Sequence, residues 1–424
     1  MDTIVIGGGN KLHGKVRISG AKNAAVAILP AALMSTGKIS LSNLPDINDV
    51  RTLIAILENL GVAIRRRGRN AVELNPSRLR GYSPPYELVK KMRASYYLMG
   101  SLLARFGRAE VPIPGGCDLG PRPIDQHLKG FAALGVDIEI EHGLIKLAVA
   151  KMRGAHIYLD VVSVGATINL MLAAAAAEGR TVLENAAKEP EIVDVANFLN
   201  AMGASIKGAG TDVIRIDGVS QFGSAEHMVI PDRIEAGTYM MAAAATGGEI
   251  VVEDVIPKHL EAVTAKLREM GVTVDVEPER IWVKRTDHLL PSDIKTFPYP
   301  GFPTDLQPLS MALLTAAEGT SIITENVFDG RFRHVDELKR MGAQIKVEGR
   351  TAVVEGGQPL SAAPVAATDL RAGAALVVAG LMARGETVLS EAEHIDRGYE
   401  QFEEKLRGLG ASIKRVRSRG GIMV

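Results

Sequence analysis

A tripeptide of the form Leu/Met-Gly-Val/Ala recurs six times along this 424-residue chain. Successive copies are separated by 74, 68, 68, 71 and 68 residues. The central glycines are Gly61, Gly135, Gly203, Gly271, Gly342 and Gly410. Such regular spacing is typical of an internal structural repeat, so we predict six copies of one supersecondary unit.

Each of these glycines is predicted to close a surface helix. Apolar residues recur at steps of three and four from Leu260 to Met270, which places them on one helical face. Gly271 follows the last of them and takes the position of a left-handed helix cap. From Val272 to Val276 apolar and polar residues alternate, as in a strand, and a second short strand follows in most copies.

A second, apolar helix precedes this pattern in every copy, as at Leu370–Ala383. It also ends at a glycine in each copy: Gly37, Gly107, Gly179, Gly247, Gly319 and Gly385. A helix that is apolar on all sides is buried on most of its surface. We therefore predict an α/β fold whose repeat reads helix, strand, helix, strand, strand, with buried helices surrounded by sheets.

The length of the chain predicts more than one domain, because a single core of this size is unusual. The sixth copy is predicted to lack its final strand, since Arg415–Gly421 is basic and rich in glycine. The N-terminal segment Thr3–Ile6 is predicted to supply that strand. One three-repeat domain then spans residues 22–229, and residues 1–21 with 230–424 form the second.

Charge and cysteine content exclude several functions. The 49 basic and 49 acidic residues cancel, so nucleic acid is not an expected partner, although a few local arginines suffice for a small anion. A single cysteine excludes an intrachain disulfide and a cysteine-based zinc site, and the histidines lack the spacing of metal ligands. We expect no metal and no cofactor. The absence of a signal peptide and of a long apolar run predicts a soluble, cytoplasmic protein without a membrane segment.

The stretch Pro112–Pro123 contains four prolines and three glycines, which predicts a loop. It carries the only thiol, Cys117, and Arg122 five residues later. An exposed thiol near a cation has the setting in which thiol reactivity is tuned. The alternative is an inert cysteine in an ordinary connection. The composition of the loop favours a functional thiol.

Polar residues begin the buried helices at six equivalent places. They are Lys22-Asn23, Arg93, Ser163, Glu235, Asp305 and Asp369 to Arg371. Helix capping accounts for Ser163 and Asp369. Lys22 and Arg93 oppose the helix dipole, whereas an anionic ligand would pair with both the cation and the free N–H groups. These helix starts therefore predict an anion-binding cleft between the two domains. Arg331 and Arg397 are further candidates, although an arginine near a helix start is often solvated or paired with a nearby aspartate.

Six segments carry a family resemblance. They are Ser19-Gly20-Ala21-Lys22-Asn23-Ala24, Pro114-Gly115-Gly116-Cys117, Gly120-Pro121-Arg122-Pro123-Ile124-Asp125, Ser163-Val164-Gly165-Ala166-Thr167, Phe302-Pro303-Thr304-Asp305 and His394-Ile395-Asp396-Arg397-Gly398-Tyr399. Together they resemble the UDP-N-acetylglucosamine 1-carboxyvinyltransferase family of enolpyruvyl transferases, and the resemblance runs through essentially the whole chain. It implies a two-domain inside-out α/β barrel with three repeated units in each domain, in agreement with the six repeats.

The resemblance also implies a reaction. The 3′-hydroxyl of UDP-N-acetylglucosamine adds to C2 of phosphoenolpyruvate while C3 is protonated, and phosphate leaves the tetrahedral ketal. Cys117 would be the acid and the site of a covalent phosphoenolpyruvate adduct, and Asp305 the base. Lys22 and Arg397 would hold the phosphoenolpyruvate anion, and Asp369 would lie close to the reacting centre. The product would enter peptidoglycan synthesis, and with it cell-wall growth, cell shape and cell division, and the thiol would be a fosfomycin target.

The resemblance implies further substrate contacts and no obligate protein partner. Arg122 would join Lys22 and Arg397 at phosphoenolpyruvate, and Arg93, Arg331 and Arg371 would support the cleft. The residues implied to line the nucleotide-sugar site are Asn23, Arg122, Pro123, Ile124, Asp125, Gln126, Ser163, Val164, Gly165, Asp305 and Val327. Asn48 and Val161 stand where some relatives have lysine, which bears on substrate affinity and not on the reaction.

Two rival functions remain open. The 3-phosphoshikimate 1-carboxyvinyltransferase of the shikimate pathway shares the fold and phosphoenolpyruvate, but lacks the Gly-Gly-Cys loop. A catalytically silent regulatory paralogue is the other alternative. The presence of Cys117, Asp305, Lys22 and Arg397 argues against a silent protein.

Overall fold

The computed structural model describes residues 2–113, 115, 124–285 and 288–417. This part of the chain divides into two compact units. The first unit contains residues 20–113, 115 and 124–230, and the second contains residues 2–19 and 231–417. Each unit has its own aliphatic core.

The described residues form helices and strands in regular alternation. The α-helices are α1 (Lys22–Ala31), α2 (Asn48–Asn59), α3 (Tyr86–Val89), α4 (Tyr97–Phe106), α5 (Asp125–Ala133), α6 (Val164–Ala174), α7 (Pro190–Ala201), α8 (Arg233–Thr246), α9 (Glu261–Glu269), α10 (Gln307–Leu314), α11 (Val335–Arg340), α12 (Leu370–Met382) and α13 (Phe402–Gly408). Short 3₁₀ helices span Ala32–Met34, Pro76–Arg78, Arg93–Tyr96, Pro257–Leu260, Thr304–Leu306 and Ala392–Arg397. Among the described residues, none of these helices is long and apolar enough to cross a bilayer.

The strands are short, as expected for a repeated unit. They are β1 (Asp2–Gly7), β2 (His13–Arg17), β3 (Ile39–Ser42), β4 (Ala63–Arg66), β5 (Val72–Asn75), β6 (Arg108–Pro112), β7 (Asp137–Glu141), β8 (Leu144–Ala148), β9 (His156–Tyr158), β10 (Arg180–Glu184), β11 (Ser205–Lys207), β12 (Val213–Asp217), β13 (Ala225–Met228), β14 (Glu249–Glu253), β15 (Thr273–Glu277), β16 (Arg280–Lys284), β17 (Ile294–Lys295), β18 (Thr320–Thr324), β19 (Gln344–Glu348), β20 (Thr351–Glu355), β21 (Pro364–Ala366), β22 (Glu386–Ser390) and β23 (Ser412–Arg417).

Each unit contains three sheets, which confirms the prediction of an α/β fold with six repeats. The first unit has the strand orders β13-β3-β5-β4, β6-β8-β7 and β11-β12-β10-β9. The second has β15-β16-β14-β2, β17-β18-β20-β19 and β21-β22-β1-β23. The predicted repeat omitted one feature: in the four-stranded sheets, a short strand that precedes a buried helix adds a parallel strand at one edge. These strands are only two to five residues long, which is too short for a clear alternating pattern in the sequence.

The N-terminal strand completes the last sheet, as the sequence predicts. Ile4 of β1 lies opposite Leu389 of β22 on one side and Arg415 of β23 on the other. Its inward side chains are fully buried, which explains why the strand holds this place. Only the start of the basic, non-strand segment was placed too early, because β23 continues through Arg415 to Arg417. Carboxylates pair with Arg415, so its charge does not end the strand.

The six repeat glycines adopt the conformation that was predicted for them. All have positive φ, between 83° and 104°. Each follows the C-cap residue of a surface helix: α2, α5, α7, α9, α11 or α13. Because only glycine adopts this conformation without steric cost, the tripeptide marks the end of each surface helix.

The apolar helices lie in the cores, as predicted. In α12, every residue from Leu370 to Leu381 is buried, and in α8 the same holds from Ile234 to Ala245. One predicted start was displaced, because α8 begins at Arg233 and Glu235 lies in its first turn. The carboxylate of Asp232 caps this helix by accepting from two backbone amides.

Candidate active site

Asp305 lies in the 3₁₀ helix that leads into α10, between two arginines of the second unit. Its Oδ1 accepts from Nη2 of Arg331 over 3.2 Å, and its Oδ2 accepts from Nη2 of Arg371 over 3.1 Å. The side chain of Asp305 is 26% exposed, whereas those of Arg331 and Arg371 are 1% and 4% exposed. Two buried guanidinium groups favour the ionised carboxylate. Asp305 is thus a solvent-accessible carboxylate in the form that can accept a proton.

Arg371 lies beside an aromatic ring and is surrounded by acidic groups. Its guanidinium lies over the ring of Tyr399 at 5.3 Å, and Oη of Tyr399 is 2.8 Å from Oγ1 of Thr238. Burial by itself would lower the pKa of Arg371, but Tyr399, Asp305 and Asp232 outweigh it and raise the pKa above its ordinary value. Arg371 is therefore a permanent cation behind Asp305.

Asp369 caps α12, as the sequence predicts. Its Oδ1 accepts from the backbone N–H groups of Arg371 over 2.8 Å and Ala372 over 3.1 Å. The charge of Asp369 also acts on the fully buried His334. Burial lowers the pKa of His334 to about 4, although Asp369 acts in the opposite direction. His334 is thus neutral near pH 7. The proposed proximity of Asp369 to the reacting centre stays a prediction.

Arg397 ends the 3₁₀ helix Ala392–Arg397. The residue before it, Asp396, is held by a two-pronged contact from Arg415, with N–O distances of 2.7 and 2.6 Å. Arg415 also donates to Glu403 over 2.7 Å. Burial would lower the pKa of Arg415, but these carboxylates raise it above its ordinary value. The turn that carries Arg397 is therefore tied to the terminal strand β23.

Val327 lies in a turn just after β18. The side chain of Glu325 accepts from the backbone N–H of Val327 over 2.8 Å. Glu325 itself is only 1% exposed. Sequence reasoning missed Glu325, because a single glutamate after a strand is more often solvated. It also missed Lys405, whose Nζ contacts the buried Glu235 over 2.6 Å. No local pattern points to either residue.

In the first unit, Lys22 is the first residue of α1 and pairs with a carboxylate. Its Nζ is 3.1 Å from Oδ2 of Asp49, and the two side chains are 14% and 6% exposed. The sequence predicted an anionic ligand to offset the cation at this helix start, whereas the structure supplies Asp49 from the first turn of α2. The ammonium group of Lys22 has three donors, so it can contact more than one anion at once. Next to it, Nδ2 of Asn23 lies 3.5 Å from Oε1 of Glu191.

Arg93 begins a 3₁₀ helix and not α4 itself, which starts at Tyr97. Burial, together with the positive charge of Arg93, lowers the pKa of His127 to about 3. Nδ2 of Asn169 lies 3.0 Å from Nδ1 of His127 and also donates to the backbone oxygen of Tyr96 over 2.8 Å. His127 is therefore a neutral acceptor in this network.

The residues predicted around Asp125 form a polar cluster at the start of α5. Nε2 of Gln126 donates to Asp125 and to Asp160, in each case over 3.1 Å. Its Oε1 accepts from the backbone N–H of Asp160 over 2.9 Å. Both polar atoms of the Gln126 side chain are thus hydrogen-bonded. Ile124, two residues earlier, is half-buried.

Ser163 caps α6, as predicted, since its Oγ accepts from the backbone N–H of Ala166 over 3.2 Å. The following residue, Val164, is half-buried. At Gly165, a Cβ atom would lie 2.7 Å from Oη of Tyr96. Any side chain there would displace the Tyr96 ring, so glycine is required by close packing.

Three predicted site residues, Cys117, Arg122 and Pro123, lie outside the described residues. Within the described ranges, no group of three or more histidine, aspartate or glutamate side chains is arranged to hold a metal ion. The described part of the chain contains a carboxylate beside buried arginines in one unit and a half-buried lysine with neighbouring polar groups in the other. Such groups suit proton transfer and anion binding.

Comparisons with known proteins agree with these features. A family model described as EPSP synthase (3-phosphoshikimate 1-carboxyvinyltransferase) matches residues 6–406. UDP-N-acetylglucosamine 1-carboxyvinyltransferase 3 of Caldanaerobacter subterraneus is 57% identical over 417 residues, which cover 98% of this chain and 100% of that protein.

Solved structures confirm the predicted fold. The enolpyruvyl transferase NikO from Streptomyces tendae matches with a TM-score of 0.89 and 28% identity, over 98% of both chains. An EPSP synthase from Acinetobacter baumannii matches with a TM-score of 0.75 and 19% identity, over 98% of this chain and 100% of that one. The second likeness concerns the fold alone.

Proposed function

Because this chain belongs to the UDP-N-acetylglucosamine 1-carboxyvinyltransferases, within the EPSP synthase family, we propose that it transfers the enolpyruvyl group of phosphoenolpyruvate to UDP-N-acetylglucosamine. The observation that carries the proposal is 57% identity to a protein of that name over nearly the full length of both chains. Identity at this level, over nearly the full length of both chains, makes the chain a transferase of the same kind. The acceptor is the 3′-hydroxyl of the sugar, and phosphate is released.

We propose that Asp305 takes the proton of the 3′-hydroxyl as its oxygen bonds to C2 of phosphoenolpyruvate. Its ionised carboxylate, accessible and held by Arg331 and Arg371, supports this role. Cys117 gives a proton to C3, which completes the tetrahedral ketal. In the second step C3 gives a proton back to the Cys117 thiolate, the bond between C2 and the phosphate oxygen breaks, and phosphate leaves as the enolpyruvyl ether forms.

The phosphoenolpyruvate anion is proposed to bind Lys22, Arg122 and Arg397. The position of Lys22 at the start of α1 supports this, because the free N–H groups of a helix start also favour an anion. Asp49 keeps Lys22 oriented. Asp369, at the start of α12, is proposed to lie near the reacting carbon atoms.

The nucleotide sugar is proposed to contact polar side chains and exposed backbone at helix starts. The proposed set is Asn23, Arg93, Arg122, Pro123, Ile124, Asp125, Gln126, Ser163, Val164, Gly165, Asp305, Val327, Arg331 and Arg371. We further propose that the product enters peptidoglycan synthesis in the cytoplasm. No cofactor is invoked for either step.

The test separates this proposal from its rivals by acceptor. Phosphate release is measured with phosphoenolpyruvate and either UDP-N-acetylglucosamine or 3-phosphoshikimate, and the product mass is determined. We expect an enolpyruvyl ether of UDP-N-acetylglucosamine alone. Turnover of 3-phosphoshikimate alone would overturn the proposal. Binding of UDP-N-acetylglucosamine without any phosphate release would indicate the silent paralogue instead.

A further inference from the structure

We infer that Glu325 is a positioning residue whose buried carboxylate sets the places of Asp305 and Val327. The inference rests on the proposed function, in which Asp305 is the base and Val327 contacts the nucleotide sugar. Glu325 is 1% exposed and follows the last residue of β18. Its two side-chain oxygens accept four hydrogen bonds from three separate segments.

The first of these segments carries Asp305. Oγ1 of Thr304 donates to Oε2 of Glu325 over 3.0 Å, and the backbone oxygen of Thr304 accepts from Nε of Arg331 over 3.2 Å. Thr304 is therefore held at both its side chain and its carbonyl. Because Asp305 is the next residue, its backbone is located by Glu325 and its carboxylate by arginines.

The second segment carries Val327. Oε1 of Glu325 accepts from the backbone N–H groups of Val327 over 2.8 Å and Phe328 over 3.0 Å. The same oxygen accepts from Oγ1 of the fully buried Thr296 over 2.8 Å, which ties the turn to the residue after β17. One carboxylate thus joins the turn at Val327 to the helix start at Asp305.

The chemistry of the contacts explains why a glutamate is needed here. A buried carboxylate costs free energy unless donors surround it, and four donors satisfy this one. Glutamine would present an NH₂ group to at least one of these donors. A carboxylate alone can accept from the Thr304 hydroxyl and from both backbone amides together.

The test begins with Thr304, because Thr304→Val removes one donor and preserves the side-chain shape. We expect turnover to fall about 100-fold, as for a displaced catalytic group. Thr304→Ser retains the hydroxyl and is expected to restore most of the turnover. The matched control is Thr320→Val at the exposed start of β18, the strand that precedes Glu325. This variant is expected to change turnover by less than about twofold.

A double-mutant cycle distinguishes positioning from a general structural effect. In an Asp305→Asn background, Thr304→Val should cause no further loss of turnover, because its effect passes through Asp305. Equal losses in both backgrounds would overturn the inference. So would wild-type turnover in Thr304→Val.

Amide hydrogen exchange supplies a readout that does not need turnover. In Glu325→Gln, amides of residues 304–306 and 326–328 should exchange about tenfold faster. The amides of Val327 and Phe328 lose charge-assisted hydrogen bonds to the carboxylate, and the other amides lie in segments that this carboxylate holds in place. Peptides from the first unit should be unchanged. Unaltered exchange in these segments would overturn the inference. If the wild-type protein fails to release phosphate, the proposed function falls, and the exchange measurement still decides the role of Glu325.

Discussion

Arg371 donates from Nη2 to Oδ2 of Asp305 over 3.1 Å, although the two residues are 66 positions apart in the sequence. The distance in sequence is close to one repeat, because both residues stand at starts of buried helices in successive copies. The repeated architecture therefore brings a carboxylate and a guanidinium together at equivalent positions. Arg331 binds the other oxygen of the same carboxylate over 3.2 Å.

Arg371→Met should destabilise the protein and reduce turnover. The change removes a buried cation that holds one oxygen of Asp305. We expect the free energy of unfolding in urea to fall by about 3 kcal/mol, as for a broken buried ion pair. Arg280→Met is the control, because this arginine is 56% exposed beside Glu253 and its pair should contribute less than about 1 kcal/mol. Equal losses in the two variants would contradict the importance of burial.

Cys117→Ser should abolish covalent labelling of the protein. The substitution removes the only thiol of the chain, so neither a phosphoenolpyruvate adduct nor a fosfomycin-type alkylation can form. Mass spectrometry of the intact protein, with and without phosphoenolpyruvate, checks this. Cys117→Asp provides the comparison: it should remain unlabelled by the alkylator and keep turnover, since a carboxylic acid also donates a proton. An alkylated mass on the Ser variant would refute the assignment.

His127→Gln should weaken the dependence of stability on pH. The pKa of His127 is about 3 in the folded protein and 6.5 in its ordinary state, so the unfolded chain gains a proton first as pH falls. The stability that neutral His127 provides is present above pH 6.5 and is lost as the pH falls towards 3, at up to about 1.4 kcal/mol per pH unit. Urea unfolding between pH 6.5 and 4.5 measures the slope. An unchanged slope in His127→Gln would count against a neutral buried ring.

Arg415→Lys should weaken binding of phosphoenolpyruvate. Lysine cannot reproduce the two-pronged contact with Asp396, so the adjacent Arg397 loses its support. We expect KM for phosphoenolpyruvate to rise about tenfold, the effect of one lost charge-assisted contact. Steady-state kinetics with each substrate varied checks this, and Arg417→Lys on the exposed end of β23 is the control. Equal rises in KM for both substrates would indicate a general structural defect.

Gly342→Ala and Gly408→Ala should have opposite effects on stability. Gly342 has φ +94° with open space around its position, so alanine there is strained only by the backbone and should cost about 1 kcal/mol. Gly408 ends α13, has open space and no positive φ, so alanine should add about 0.5 kcal/mol through helix propensity. Urea unfolding measures both variants. Changes of the same sign would contradict the capping role assigned to the repeat glycines.

Much of the fold was predictable because it depends on local patterns. The repeat glycines with their positive φ, the apolar helices and the caps at Ser163 and Asp369 each follow from residues a few positions apart. The completion of the last sheet by β1 was predictable from a missing strand. The short strands before the buried helices were not predictable, because two to five residues are too few to show an alternating pattern.

The partners of the candidate site residues were not predictable in the same way. Asp49 beside Lys22, Arg415 beside Asp396, and Glu325 beneath Thr304 and Val327 lack any signature in their own neighbourhoods. Each is an ordinary charged residue in the sequence, and solvation would be the usual expectation for it. Burial alone turns such a residue into a specific partner, since an unpaired buried charge is costly.

By itself the sequence determined the six repeats, the α/β class, the helix ends and the family to which the chain belongs. Hydrophobic period and backbone conformation are local properties, so short segments of the sequence determine them. Only the tertiary structure decided which charges meet, as at Asp305 with Arg331 and Arg371. Electrostatic pairing depends on distances in space between residues far apart in the sequence, and these distances exist only once the helices and sheets have packed.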